Sequence, residues 1–157
     1  MGQALFYHLT QSPLDATLSR LLQRSLGRGW QVFVRTSTPA SLTRLDRMLW
    51  GVGGADGFFA HGVQGGTHDA LQPVLLGVPM PDAGVPANKA HCLMSVEGAD
   101  VSVEEAAAFE RVCILFDGHD GAAVSQARAQ WSSLTKAGIS AQYWSEESGK
   151  WQMKIEK

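Results

Sequence analysis

The stretch that most constrains the fold is the last third of the chain, residues 111–153. Residues 112–116 form an unbroken apolar run of strand length, as in a strand buried on both faces. After a turn rich in Asp and Gly, residues 122–136 contain neither Gly nor Pro, and their Ala and Gln favour a helix. Gly138 stands where a left-handed residue would end that helix. Two aromatic strands follow, so the stretch predicts a strand–helix–strand unit and a hairpin across 146–150.

The predicted helix places a basic side chain beside a large aromatic one. Its apolar positions recur at spacings of three and four, at Val124, Ala127, Trp131 and Leu134. Arg128 precedes Trp131 by three residues, and the helix has no acidic residue that could neutralise it. Such a pair suits an anionic, partly apolar ligand, because Arg grips a carboxylate through two parallel hydrogen bonds while the ring packs the apolar part. An ordinary amphipathic helix with a solvated Arg explains the same residues.

The rest of the chain alternates between strand and helix patterns. Strands are predicted at 4–9, 31–35, 73–77 and 91–96, and helices begin near Ser12, Thr38 and Ser102. This alternation predicts an α/β sandwich with a largely parallel sheet, and 157 residues is the length of a single domain spanning 1–157.

Composition limits the classes of partner. With a net charge of -2, the chain has no global basic field, which argues against charge-driven DNA binding and for a protein or small-molecule partner. Cys92 and Cys113 lie in apolar runs and are predicted to be buried free thiols. No charged leader or membrane-length apolar run is present, so a cytoplasmic protein is expected.

Residues 51–66 are rich in glycine and read as a loop. The Lys-Ser/Thr pair of a phosphate-binding loop is missing, so the stretch does not indicate a nucleotide site. Phe58 and Phe59 lie in the middle of this stretch. Two phenylalanines in a surface loop are expected either to be buried in the core or to be exposed for contact with a partner.

An alternative hypothesis is that the chain is an enzyme. Asp117 and Asp120 follow a predicted strand and precede a helix, which is where α/β proteins place ligands, so they could serve a nucleotide- or metal-dependent α/β enzyme. Without further clustered acids, a tight turn with a helix-capping Asp is the favoured interpretation, since Asp and Gly are common turn residues. The five histidines show no zinc-site spacing, no metal or other cofactor is expected, and no catalytic residues are assigned.

Motifs along the whole chain resemble those of the chi subunit of bacterial DNA polymerase III holoenzyme, a part of the clamp-loader assembly. The matching segments are Phe6-Tyr7-His8-Leu9, Leu45-Asp46 with Leu49-Trp50, Phe58 to His61, Pro73-Val74-Leu75-Leu76, Asn88, Ala127-Arg128 with Trp131, Lys136-Ala137-Gly138, Tyr143-Trp144 and Gly149-Lys150-Trp151. The resemblance implies a Rossmann-like, three-layer α/β fold and a non-catalytic accessory subunit of a DNA-directed DNA polymerase.

The resemblance also implies partners. Members bind the acidic C-terminal tail of single-stranded-DNA-binding protein, which ends in Pro-Phe with a free carboxylate, and some bind the small psi subunit; DNA is reached only indirectly. The family's tail-binding Arg and aromatic residue fall on Arg128 and Trp131, and Trp50 is similar to a residue near the same surface. Val124 and Lys136 complete the expected tail site. A psi contact would fall on Phe58, with Phe59 beside it.

Overall fold

The computed structural model describes residues 2–51, 60–79, 86–146 and 148–157. In these ranges the chain forms one sheet of eight strands with four α-helices. The strands are β1 (Gln3–Leu9), β2 (Val32–Arg35), β3 (His61–Val63), β4 (Val74–Gly77), β5 (Cys92–Ser95), β6 (Arg111–Asp117), β7 (Ser140–Ser145) and β8 (Gln152–Glu156). The α-helices are α1 (Leu14–Gly27), α2 (Pro39–Gly51), α3 (Val103–Ala108) and α4 (Gly121–Lys136), and a 3-10 helix spans Asp69–Leu71.

The strand order is β3-β4-β2-β5-β6-β1-β7-β8. Every neighbouring pair is parallel except β7 and β8, which are antiparallel. The mostly parallel sheet and the C-terminal hairpin are therefore confirmed. The Rossmann-like description stays a prediction.

The helices cover both faces of the sheet. Successive residues of a strand point to opposite faces, so each strand contributes side chains to both helical layers. Leucines of α1 and α2 pack on one face with Val32 and Val34, whereas α3 and α4 pack on the other face with Phe33. The direction of the connections explains this division. From β2 to β3 the chain moves one way across the sheet, and from β6 to β7 it moves the other way, so right-handed crossovers put α2 and α4 on opposite faces.

Several predicted helix ends are confirmed. Ser102 and Glu105 form a capping box at α3, and Asp120 caps α4 by accepting hydrogen bonds from the first amides of that helix. Gly138 follows α4 with a φ of 88°, in the left-handed region. At α1, Pro13 rather than Ser12 is the N-cap residue, because the Ser12 hydroxyl donates to the Glu146 carboxylate instead.

One short strand was missed. β3 lies within residues 51–66, which the sequence predicts to be a loop, because three residues with a central Gly give no usable hydrophobic pattern. Pairing with β4 and a bond between the His61 ring and Asp46 (2.8 Å) hold β3 in place.

The two cysteines are buried free thiols, as predicted. They lie on the neighbouring strands β5 and β6 and face α1. A hydrogen bond with Cys92, together with burial, raises the pKa of the Cys113 thiol above its ordinary value.

Candidate functional site

Trp131 is the anchor of the candidate site on α4. Its side chain is half-buried and packs edge-on against Phe6 of β1, with ring centroids 5.3 Å apart, and against Tyr143 of β7, at 6.1 Å. These contacts fix the orientation of the indole while part of it stays accessible.

An aromatic cluster supports this ring from below. Tyr143 also contacts the rings of His8 and Phe116, and its hydroxyl is hydrogen-bonded to Nδ1 of His8. His8 and Phe116 in turn pack together at 5.0 Å on the adjacent strands β1 and β6. The accessible part of Trp131 therefore rests on a packed base rather than on a mobile loop.

Arg128 is exposed on the same helix, three residues before Trp131. Within the described ranges it makes no hydrogen bond, ion pair or ring contact. Its guanidinium therefore keeps all of its donors available for an incoming anion.

The other expected α4 residues extend the same site. Val124 is half-buried one turn before Arg128, and it packs against the core beneath the helix. Lys136 is exposed in the last turn, about 12 Å further along the helix axis than Arg128 at 1.5 Å per residue. A cation there can attract acidic residues of a ligand that extends along the helix from Arg128.

The orientation of α4 shows which neighbours the site has. Gln126, on the far flank of the helix, bonds the carbonyl of Gly98 and the Asp100 carboxylate after β5. At 100° per residue Arg128 lies roughly opposite, on the flank that faces β7. On that side Tyr143 pairs with Ile155 of β8, whose side chain is 47% exposed.

Sequence reasoning did not include Tyr143 and Ile155 in the site. Tyr143 could have been found, because a strand that follows a crossover helix lies beneath that helix in a strand–helix–strand unit. Ile155 could not have been found. The face of the sheet to which its side chain points depends on a register shift between β7 and β8, and no local sequence pattern indicates that shift.

The structure corrects the expectation that Trp50 lies near the same surface. Trp50 closes α2, whose Leu45 and Leu49 pack on the sheet face opposite to that of α4. Its indole is 59% exposed and contacts the His61 ring, with centroids 4.9 Å apart. Trp50 therefore belongs to a second surface, close in sequence to Phe58 and Phe59, which lie outside the described residues.

Asp117 and Asp120 have structural partners at the end of β6. Asp117 accepts from the amide of His119 at 2.9 Å, and Asp120 accepts from Ala122 and Ala123 at 3.0 and 3.4 Å. Both carboxylates therefore act in a turn and a helix cap. In the described part of the chain, no group of three or more His, Cys, Asp or Glu side chains converges on a common point.

A comparison with protein-family models identifies the family of this chain. The family model described as DNA polymerase III chi subunit, HolC, matches residues 1–142, which include β1, β6, α4 and the first three residues of β7. The chain belongs to the DNA polymerase III chi subunit family. Membership assigns it an accessory role in replication by that polymerase.

Two further findings complete the comparison. No curated protein sequence matches the chain significantly. None of the helices in the ranges described is long and apolar enough to cross a membrane.

Proposed function

We propose that the α4 site binds the acidic C-terminal tail of single-stranded-DNA-binding protein and so links that protein to the polymerase III clamp-loader assembly. Arg128 pairs with the terminal carboxylate of the tail, and Trp131 and Val124 pack its last apolar residues. Lys136 attracts the acids that precede them. The chain itself acts as an adaptor without intrinsic catalytic activity.

One observation carries this proposal. An exposed arginine without a partner in the described structure stands beside a half-buried indole that is fixed from below by Phe6 and Tyr143. A carboxylate next to an aromatic ring matches this pair in charge and in shape. Since a short disordered tail loses entropy when it is ordered, the affinity is expected to be modest and sensitive to salt.

Titration with a fluorescent tail peptide tests the proposal. Fluorescence anisotropy should report binding by the wild type and at least about tenfold weaker binding by Arg128→Ala, since charge-assisted hydrogen bonds contribute about 1.5–3 kcal/mol. A peptide that ends in an amide should lose about as much, because Arg128 then has no carboxylate to pair with.

Arg47→Ala is the matched control. Arg47 is an exposed arginine on α2, so its replacement changes the net charge equally on the opposite face of the sheet. It should leave peptide binding unchanged. Equal affinities for Arg128→Ala and Arg47→Ala would remove the proposed site.

A second partner fits the opposite surface. Trp50 is 59% exposed at the end of α2, and a psi-like subunit is the partner that we place there, with Phe58 and Phe59 as candidate contacts. Trp50→Ala should then abolish capture of a purified psi subunit while it leaves binding of the tail peptide unchanged. A loss of both would argue against two separate surfaces.

A further inference from the structure

A groove runs along helix α1, on the face of the sheet opposite to α4. It consists of two adjoining cavities of about 480 and 260 Å³, which share Tyr7, Leu21 and Arg24 as lining residues. We call this feature the α1 groove. Its floor is the α1-facing side of strands β1, β6 and β7.

Four arginines line the α1 groove. Three of them, Arg20, Arg24 and Arg28, follow each other at intervals of four residues along α1 and its C-cap, so they form a stripe about 12 Å long. The fourth, Arg111, enters from the start of β6. None of the described lining residues is Asp or Glu.

These cations are not neutralised within the described structure. The ion pairs found there involve Arg35, Arg44 and His61, and none of the groove arginines takes part. The Nε of Arg111 is buried and has no hydrogen-bond partner in those ranges. The chain carries 13 basic residues at a net charge of -2, so this concentration of positive charge is local and is hidden by the overall composition.

Aromatic rings stand along the same groove. Trp144 and Trp151 line one cavity, both half-buried, and Trp151 packs edge-on against Tyr7 at 5.5 Å. At the other end, the guanidinium carbons of Arg28 and Arg111 lie 4.3 and 5.2 Å from the centre of the Trp30 ring. Stacking holds these two arginines in place, and the exposed Arg28 keeps its donors available.

We propose that the α1 groove binds single-stranded nucleic acid. A row of arginines without an ion-pair partner in the described structure follows the phosphates, and the half-buried indoles of Trp144 and Trp151 at one end offer surfaces on which bases stack, independently of sequence. A purely acidic peptide would use the cations but would leave the aromatic faces without a role. The proposal departs from two expectations: that the overall net charge argues against charge-driven DNA binding, and that, by the resemblance, DNA is reached only indirectly. It does not depend on the α4 site.

Fluorescence anisotropy of a labelled oligo(dT) of about 15 nucleotides tests the proposal. For single strands, each phosphate contact contributes a salt dependence of about 0.7 in log–log slope, or about fivefold in affinity at 0.1 M salt relative to 1 M. Arg20→Gln/Arg24→Gln removes two exposed cations, so it should weaken binding by about 25-fold at 0.1 M salt and lower the slope by about 1.4.

A control separates the groove from other cations. Arg47→Gln removes an exposed arginine on α2, outside the groove, and should bind the oligonucleotide as the wild type does. If Arg47→Gln weakens binding as much as Arg20→Gln/Arg24→Gln does, the interaction is diffuse and the proposal is overturned.

Variants at Trp151 test the stacking part. Trp151→Ala should weaken binding at least about fivefold, whereas Trp151→Phe, which keeps a ring, should retain it. A polyglutamate peptide of equal charge should compete poorly with the oligonucleotide. Competition as strong as that of unlabelled oligo(dT), or no effect of Arg20→Gln/Arg24→Gln, would contradict a nucleic-acid site.

Discussion

Replacement of Glu146 by Gln should destabilise the fold in a way that depends on pH. Glu146 follows β7 and is only 3% exposed. Its Oε1 accepts hydrogen bonds from the amides of Thr10, Gln11 and Ser12 at 3.0, 2.7 and 2.6 Å, and its Oε2 accepts from the Ser12 hydroxyl at 2.7 Å. One carboxylate thus ties the end of β7 to the segment that leads into α1.

The pKa of the Glu146 carboxyl determines how much this group contributes to the free energy of unfolding. Burial alone would raise the pKa of Glu146, but the bonds from Ser12, Gln11 and Thr10 outweigh it and lower the pKa from 4.5 to about 2. At about 1.4 kcal/mol per pKa unit, the charged form contributes about 3 kcal/mol to the free energy of unfolding at neutral pH. Gln keeps an oxygen acceptor but loses the charge, so we expect Glu146→Gln to lose about 2–3 kcal/mol.

The sign of the pH dependence follows from the lowered pKa. The contribution of Glu146 is fully present above pH 4.5 and is lost as the pH falls from 4.5 towards 2, where the carboxylate is protonated in the folded state as well. Urea unfolding of wild type and variant at a series of pH values measures the difference. That difference should be large at pH 7 and should shrink towards pH 2.

Glu110→Gln is the control for this experiment. Glu110 is exposed, so the Glu110→Gln variant loses the same charge but no buried carboxylate. The free energy of unfolding of this variant should stay within about 0.5 kcal/mol of the wild-type value. A Glu146→Gln variant as stable as Glu110→Gln, or a difference that does not change with pH, would refute the reasoning.

Three further variants test the helix ends of α4. Asp120→Ala removes the N-cap and should cost about 1 kcal/mol in urea unfolding without any effect on peptide binding, whereas a large loss of peptide binding would show that the strand end contributes to the site. Gly138→Ala forces a Cβ into a φ of 88° and should cost about 1 kcal/mol. Gly121→Ala, at an open position in the first turn of α4, should be neutral or stabilising, and a similar loss at both glycines would contradict the conformational argument.

The parts of the fold that could be predicted from sequence are those determined by neighbouring residues. The β6–α4–β7 unit has a buried strand, a helix without breakers and a terminal Gly138 in direct succession, and the structure places all of them as expected. The Arg128–Trp131 pair is of the same kind, because two residues three apart on a helix are neighbours whatever surrounds the helix.

The parts that could not be predicted depend on distant residues. The apolar positions of α2, such as Leu45 and Leu49, are visible in the sequence. The sheet face that α2 covers, however, follows from the order in which the strands pair, and this order places Trp50 away from Trp131. Similarly, Ser12 reads as a helix cap until Glu146, 134 residues later, supplies an acceptor for its hydroxyl. The α1 groove escaped notice because its arginines are dispersed among leucines in the sequence and come together with Arg111 only in the folded chain.

The separation of these surfaces bears on how an accessory subunit could work. The α4 site lies on one face of the sheet, while Trp50 and the α1 groove lie on the other, with Trp50 beside β3 and the groove over β1, β6 and β7. In the described part of the chain these surfaces share no residue. If the three proposals hold, the chain can hold the protein tail, a partner subunit and a short single strand at the same time. Tail peptide at saturation should then leave the affinity for oligo(dT) unchanged, and mutual exclusion would show that at least one of these surfaces is assigned wrongly.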